Sequence, residues 1–215
     1  VCWHHCHSKN RHIKGMNILS CLVCYDDITL PVGYEIVKKD LRFCDLKTKQ
    51  EKRRACVTKN EHFRMLIGQS VKNKVLFDHV LADNWFAAKD NLDYIHYDLK
   101  KKFIIGIKSN RTVALSEDDK KNGTFTQVKN LELEDSKAIK VWLKDNAFPV
   151  MLLKKVFTNE DGTTGILYLI SNDLDRDGTE LYTLYQKRWK IETYHKSIKQ
   201  NVSLAKSPTK RVRSG

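Results

Sequence analysis

Residues Leu181–Asn201 read LYTLYQKRWKIETYHKSIKQN. The stretch holds no Pro or Gly, and its straight-chain and aromatic side chains predict one helix. Asp177-Gly178-Thr179, just before it, supplies an N-terminal boundary. At about 100° per residue, Leu184, Ile191, Ile198 and Val202 fall within roughly 40° of one another and make a core-facing stripe. Beside it runs a second line, Tyr185, Arg188, Glu192 and Lys199, within about 60° of arc. A carboxylate is thereby set one turn from a guanidinium, next to a phenol and an ammonium, at the edge of a buried face. Periodicity alone also fits the plainer reading of an amphipathic helix with Arg-Glu support at i, i+4.

Composition narrows the partner. The 215 residues are 41% hydrophobic and 30% charged, as in a soluble globular protein, and are enough to bury one good core, with or without an insertion. The formal charge of +13 points to an anionic polymer or surface and says nothing about fold. The excess gathers late in the chain: Lys187, Arg188, Lys190, Lys196, Lys199, Lys206, Lys210, Arg211 and Arg213 face a single acid, Glu192. No apolar run approaches the roughly 20 residues of a membrane span, and no signal-peptide pattern opens the chain. Nucleic acid is therefore a better partner than a membrane.

From its start the chain reads Val1-Cys-Trp-His-His-Cys-His7, which invites a zinc adaptor. No second Cys/His cluster follows at a usual distance, and Cys21-Leu-Val-Cys24 sits in an apolar strand, where its two thiols point to opposite faces. Reduced thiols are expected rather than a disulfide framework. Asn17–Tyr25 and Ile28–Val37 form a hairpin, with Pro31 marking the second strand as an edge. Lys38–Arg54 is a charged connection. Thr58 and Glu61 make a capping box for a helix through about Asn73, with Phe63, Leu66, Ile67 and Val71 on its apolar face.

The second informative stretch is Val75–Phe86, VLFDHVLADNWF. Val80-Leu81-Ala82 ends a strand, and Asp83-Asn84 caps a helix carrying Trp85, Phe86 and Leu92. Helix capping alone accounts for an Asp there, but the carboxyl end of a strand is also where an α/β fold keeps its chemistry. Further strands are expected at Lys102–Lys108, Thr112–Leu115, Thr124–Val128, Lys137–Trp142, Val150–Phe157 and Gly165–Ser171.

The spacing Tyr185-x2-Arg188-x3-Glu192-x6-Lys199, the continuation Gln200–Gly215 and the segment VLADNWF around Asp83 together resemble DDE transposases of the insertion-sequence-four family. The resemblance implies an α/β, RNase H-like mixed sheet: core over 1–109, a β-rich insertion over 110–164, and the last strand, signature helix and basic tail over 165–215. It matches Asp83 and Glu192 to the second and third metal-binding carboxylates, holding Mg2+ (or Mn2+). It gives Tyr185, Arg188 and Lys199 contacts to DNA phosphates, which suits a bidentate guanidinium and an ammonium, whereas Tyr185 also fits a core phenol. Trp85 and Trp189 fit core packing, the commoner fate of an indole, or stacking on a flipped base. It further implies DNA transposition at insertion-sequence ends, a homodimer in a synaptic complex, and a bacterial, cytoplasmic and nucleoid-associated protein.

In that family the first Asp lies on a central strand ahead of the segment that Cys2–Asn17 resembles, so the expectation is a fragment that lacks this strand and is inactive alone. The alternative is a catalytically dead, basic DNA-binding remnant. Either way Lys206, Lys210, Arg211 and Arg213 should meet phosphate. Cutting the chain after Asn201 is expected to flatten the salt dependence of DNA binding, by about 0.9 in log–log slope for each phosphate no longer neutralised. Titrations at several salt concentrations check it, and an unchanged slope removes the tail from the DNA-binding surface.

Overall fold

The computed structural model of the chain describes residues 2–6, 10–159 and 161–201, with backbone alone at 2–6 and 12–14. Lys206, Lys210, Arg211 and Arg213 of the tail, Val202 of the apolar stripe and the side chains of Cys2–His7 lie outside that description. The chain divides into two compact units, Val1–Val75 with Lys190–Gly215, and Leu76–Trp189.

The first unit opens with β1 (Cys2–Cys6) and β2 (Arg11–Gly15), an antiparallel pair. The expected hairpin follows with its expected bounds, β3 (Asn17–Tyr25) and β4 (Ile28–Val37). Asp26 takes left-handed backbone in its turn, as Asp tolerates. The register slips after Cys21, from Cys21↔Gly33 to Leu22↔Pro31. Val32 is the extra residue, and the slip puts Pro31, which has no N–H to give, at an irregular position of the ladder.

After β5 (Leu41–Asp45) and β6 (Gln50–Arg54) comes α1 (Lys59–Lys72), opened by the Thr58–Glu61 capping box. It buries Phe63, Leu66 and Ile67, each worth about 1.5–3 kcal/mol when fully withdrawn from water. Leu66 lies so close to Gly33 that a Cβ there would meet its Cδ2 at 3.0 Å. On the same strand face Cys21 Sγ is 3.9 Å from Ser70 Oγ, and burial pushes the thiol's pKa up despite that contact. Ser20, the next residue, points the other way, to His195 Nε2 at 3.0 Å on the helix Lys190–Asn201. Lys190 Nζ donates to Asp26 O at 2.7 Å. The hairpin therefore has a helix on each face.

β5 and β6 are a departure. Lys38–Arg54, expected as a connection, folds into an antiparallel ribbon because local chemistry closes it. Asp45 Oδ1 accepts the Lys47 and Thr48 N–H groups at 2.9 and 3.2 Å, and Asp45 O accepts from Lys49 N. No apolar alternation advertises the strands, since Gln50–Arg54 reads QEKRR.

The second unit is built on one sheet of seven strands. Its members are β7 (His79–Ala82), β8 (Lys102–Gly106), β9 (Thr112–Ala114), β10 (Thr126–Gln127), β11 (Ala138–Leu143), β12 (Pro149–Thr158) and β13 (Thr164–Ser171), in the order β10-β9-β11-β12-β13-β8-β7. β7 and β8 are parallel and every other pair is antiparallel. The strands expected as a β-rich insertion thus extend the same sheet as β8. β7 ends the sheet with β8 as its strand partner, and β3 pairs with β4 alone among the described residues.

In β8 Phe103, Ile104 and Ile105 are all fully buried, which a strand shows only when both faces are covered. Between β7 and β8 run α2 (Lys89–Asp93) and a π-turn at Tyr94–Asp98, burying Leu92 and Ile95. His96 of that turn stacks on Phe148 at 3.9 Å, and Phe148 meets Phe103 edge-on. The opposite face carries Ile104, Leu153 and Leu169, packed with Leu181 and Tyr185 of α4 (Gly178–Gln186). Within the Thr112–Leu143 segment α3 (Glu117–Lys121) is a short, exposed helix. Gly178 opens α4 where a Cβ would lie 2.1 Å from Ser136 O, so only glycine lets the two backbones meet.

The predicted single helix at Leu181–Asn201 is two. α4 ends at Gln186, a 3₁₀ turn spans Lys187–Trp189, and α5 covers Lys190–Asn201. A one-helix projection therefore no longer relates Tyr185 and Arg188 to Glu192 and Lys199.

The amino ends of the parallel pair meet one buried acid. Asp173 Oδ2 lies 2.8 Å from His79 Nε2, at the start of β7, and 3.2 Å from Arg176 Nε; Oδ1 accepts from Lys102 Nζ, at the start of β8, at 3.1 Å. Burial disfavours its charge, but the bonds to His79 and Lys102 outweigh burial and hold Asp173 below the ordinary carboxylate range. Asp173→Ala should cost about 2–3 kcal/mol, at the low end for a buried ion pair because Lys102 and Arg176 stay partly hydrated. A carboxylate depressed in the fold adds stability above its unfolded pKa and loses it as pH falls through the folded one. Urea unfolding of parent and variant should therefore differ near neutral pH and converge in strong acid.

Candidate active site

Asp83 follows Ala82, the last residue of β7, at the carboxyl end of the parallel pair. Its Oδ1 accepts the Trp85 N–H at 2.9 Å and caps a 3₁₀ turn over Asn84–Phe86. The helix expected here begins later, at Lys89. The capping role read from sequence is real, yet it occupies one oxygen. The carboxylate is exposed, and its other oxygen takes no hydrogen bond among the described residues.

Gly106 stands level with this turn, one residue beyond the Ala82↔Ile105 pair. A Cβ on Gly106 would lie 3.0 Å from Asn84 N and 3.4 Å from the Tyr185 hydroxyl. Three elements converge there: the turn after β7, the end of β8, and α4 through Tyr185. Tyr185 is a buried core residue, so the core-phenol reading describes its ring. The Arg188 guanidinium lies 5.5 Å from that ring's centroid and 4.5 Å from the Trp189 ring, a cation–π seat for a half-buried charge. Trp85 and Trp189 are 59% and 53% exposed. That corrects the expectation of core packing for both, because the short turns bearing them leave their indoles facing solvent.

Glu192 and Lys199 are exposed on α5, in the other compact unit. His195 stands between them on the same helix. Burial, with the charge on Lys199 adding to it and Glu192 opposing, pushes the His195 pKa below the ordinary histidine range. A neutral imidazole bonded to Ser20 anchors the helix that carries Glu192 to β3. Sequence reasoning passed over His195. Its place one turn after Glu192 and one before Lys199 was the available signal.

Hard, exposed carboxylate oxygens such as those of Asp83 and Glu192 suit a divalent cation of the magnesium kind by donor type. Among the described residues no group of three or more His, Cys, Asp or Glu side chains comes together. The CxxC thiols are split, Cys21 toward Ser70 and Cys24 toward Thr29 Oγ1 at 3.6 Å. Cys21, Cys24, Cys44 and Cys56 are free thiols. No helix among the described residues is long and apolar enough to cross a membrane.

A family profile described as "Transposase DDE domain" matches residues 46–214, well over half of the chain. The chain belongs to that family. The match takes in Asp83, the whole seven-stranded sheet and both helices of the Leu181–Asn201 stretch. It identifies a DDE transposase domain, an enzyme class by resemblance, with DNA as partner and a divalent metal as the general cofactor. No curated protein matches the chain.

Gly106→Ala tests the convergence at the Asp83 turn. The new methyl group must displace Asn84 backbone by a few tenths of an ångström and tilt the carboxylate with it. The expected result is a melting temperature that changes by only a few degrees, equivalent to about 1 kcal/mol, with faster amide exchange at the Trp85 N–H that Asp83 accepts. Unchanged exchange at the Trp85 N–H would show that Gly106 does not position the Asp83 turn.

Proposed function

We propose that the chain carries the catalytic half-sites of a metal-dependent DNA strand-cleavage and transfer domain of the insertion-sequence-four kind, acting at transposon ends. The observation that carries the reading is Asp83: an exposed carboxylate with one oxygen uncommitted, directly beyond the strand β7 that is parallel to β8, in a chain of the transposase DDE family. Asp83 and Glu192 are the residues proposed to hold Mg2+ or Mn2+. When bound, such ions stabilise the attacking and leaving oxygens of phosphoryl transfer.

This chain's own residues do the remaining work. The Trp85 N–H fixes one Asp83 oxygen, so the carboxylate is oriented before any ion arrives. Arg188, held against the Tyr185 and Trp189 rings, is proposed to grip a phosphate bidentately. Tyr185 has its ring in the core, so its proposed part is to seat Arg188 rather than to touch DNA. Lys199 supplies a second point charge from exposed α5. Trp85 and Trp189 expose indole faces on which an unpaired base can stack. The core, sheet extension and signature-helix division proposed for 1–109, 110–164 and 165–215, and a homodimer bridging two DNA ends, belong to the same reading.

Asp83→Asn and Glu192→Gln, tested separately with magnesium on transposon-end DNA in the chain extended upstream through the first Asp-bearing strand that the resemblance implies, decide it. Each is expected to lower strand cleavage by at least about a hundredfold, a few kcal/mol of transition-state stabilisation. Duplex binding should stay within about twofold, because neither variant removes a cation. Cleavage retained by Asp83→Asn would end the assignment. Binding by the extended parent with no metal-dependent cleavage would favour the non-catalytic DNA-binding remnant.

A further inference from the structure

The β5–β6 ribbon is the part of the fold that stability does not account for. Pairing runs Leu41↔Arg54, Arg42↔Arg53, Phe43↔Lys52, Cys44↔Glu51 and Asp45↔Gln50. One face carries Leu41, Phe43, Lys52 and Arg54, the other Arg42, Cys44, Glu51 and Arg53. Both faces are exposed along nearly the whole length. A two-stranded ribbon without a covered face is marginal by itself. Arg42 and Arg53 stand directly opposite one another, a like-charge pair that weakens it further. What holds it is local: the Asp45 turn, the Lys52–Asp45 pair, a diagonal Arg42–Glu51 contact at 3.4 Å between exposed groups, and Arg54 over the Phe43 ring at 5.6 Å.

Charge says what it is for. From Lys38 to Arg54 eight Lys or Arg residues face three acids, Asp40, Asp45 and Glu51. The tip is Leu46-Lys47-Thr48-Lys49, with Leu46 91% exposed and Lys49 in left-handed backbone. A protein keeps opposed arginines on an uncovered ribbon at a cost in stability, and a polyanion between them removes the repulsion.

We propose that the β5–β6 ribbon is a duplex-DNA contact arm, separate from Asp83 and Glu192. Duplex DNA fits it in charge and in size, since the major groove is about 12 Å wide and admits a two-stranded β-ribbon. Arg42 and Arg53 on one face and Lys47 at the tip meet backbone phosphates, contacts that carry register and not sequence. The arm rests on DNA being the family's partner and does not depend on the proposed metal ligands.

The test uses the 215-residue chain and a labelled duplex. Arg42→Gln, Lys47→Gln and Arg53→Gln combined should weaken binding at least about tenfold at fixed salt. They should also flatten the slope of log K against log salt by about 2–3, at roughly 0.9 per phosphate. Melting should move by no more than a few degrees, because relief of the Arg42–Arg53 repulsion offsets loss of the exposed Arg42–Glu51 contact. A second readout needs no variant. Exposed Cys44 lies in the arm, so duplex DNA should slow its alkylation in the parent chain, read peptide by peptide by mass spectrometry. Parent-like affinity and slope in the triple variant, or alkylation of Cys44 at the same rate with and without saturating DNA, would overturn the inference. Asp83→Asn, assayed for cleavage in the chain extended upstream as above, separates the two readings. If that variant binds but does not cleave while the triple variant binds like the parent, catalysis at Asp83 stands and the arm falls. If Asp83→Asn still cleaves and the triple variant loses binding, the reverse holds.

Discussion

The parallel pairing of β7 with β8 is the constraint on which the second unit depends, and a buried carboxylate fixes it. Asp173 joins His79 and Lys102, the first residues of the two strands, to Arg176 ahead of α4. The adjacent Asn172 holds the start of β8, accepting the Phe103 N–H through Oδ1 at 2.7 Å and donating from Nδ2 to Lys101 O at 3.0 Å. With the amide so oriented, Nδ2 also donates to His96 Nδ1, which must stay unprotonated. Burial pushes the His96 pKa down in the same sense. Asp173 ties the amino ends of β7 and β8 together while Asn172 fixes the start of β8, and the carboxyl end of β7, with Asp83, takes its place from that.

At that carboxyl end backbone approach does the positioning. Gly106 lets the Asn84 backbone come against β8, and Tyr185 reaches the same point from α4. The Tyr185 phenol is continuous with the core and its ring supports Arg188, so packing that stabilises the sheet also seats that cation.

The sequence disclosed whatever rests on periodicity or a capping residue. The β3–β4 hairpin, the Thr58 capping box and the strand ending ahead of Asp83 were all legible because alternation, Pro and capping residues signal locally. Three features were not. The ribbon is held by an Asp turn and cross-strand charge, with no buried stripe to read. Asp173 and Asn172 act through residues distant in the chain, His79, His96 and Lys102, which no local window joins. The break at Lys187–Trp189 falls in a stretch with no Pro or Gly, so helix propensity gave no warning of a turn in which Arg188 lies over the Tyr185 and Trp189 rings. Of the proposed site, the residue types and their spacing were visible; the seating of Arg188 on Tyr185 and the role of Gly106 required the fold.

The composition of the first unit bears on how the chain is made. Leu76–Trp189 is contiguous, and its sheet can close as soon as that segment leaves the ribosome. The β3–β4 hairpin and α1 appear earlier, but the hairpin's other face waits for α5. The bonds that seat α5, His195 to Ser20 and Lys190 to Asp26, span 175 and 164 positions. Closing a loop of that size is slow and is repaid only at the end. Until then the hairpin has one helix and one open face, so nascent chains exist in which the Asp83 unit is complete and the helix bearing Glu192 has not yet docked. Synthesis order therefore lets the sheet of the second unit form before α5 can seat on the hairpin.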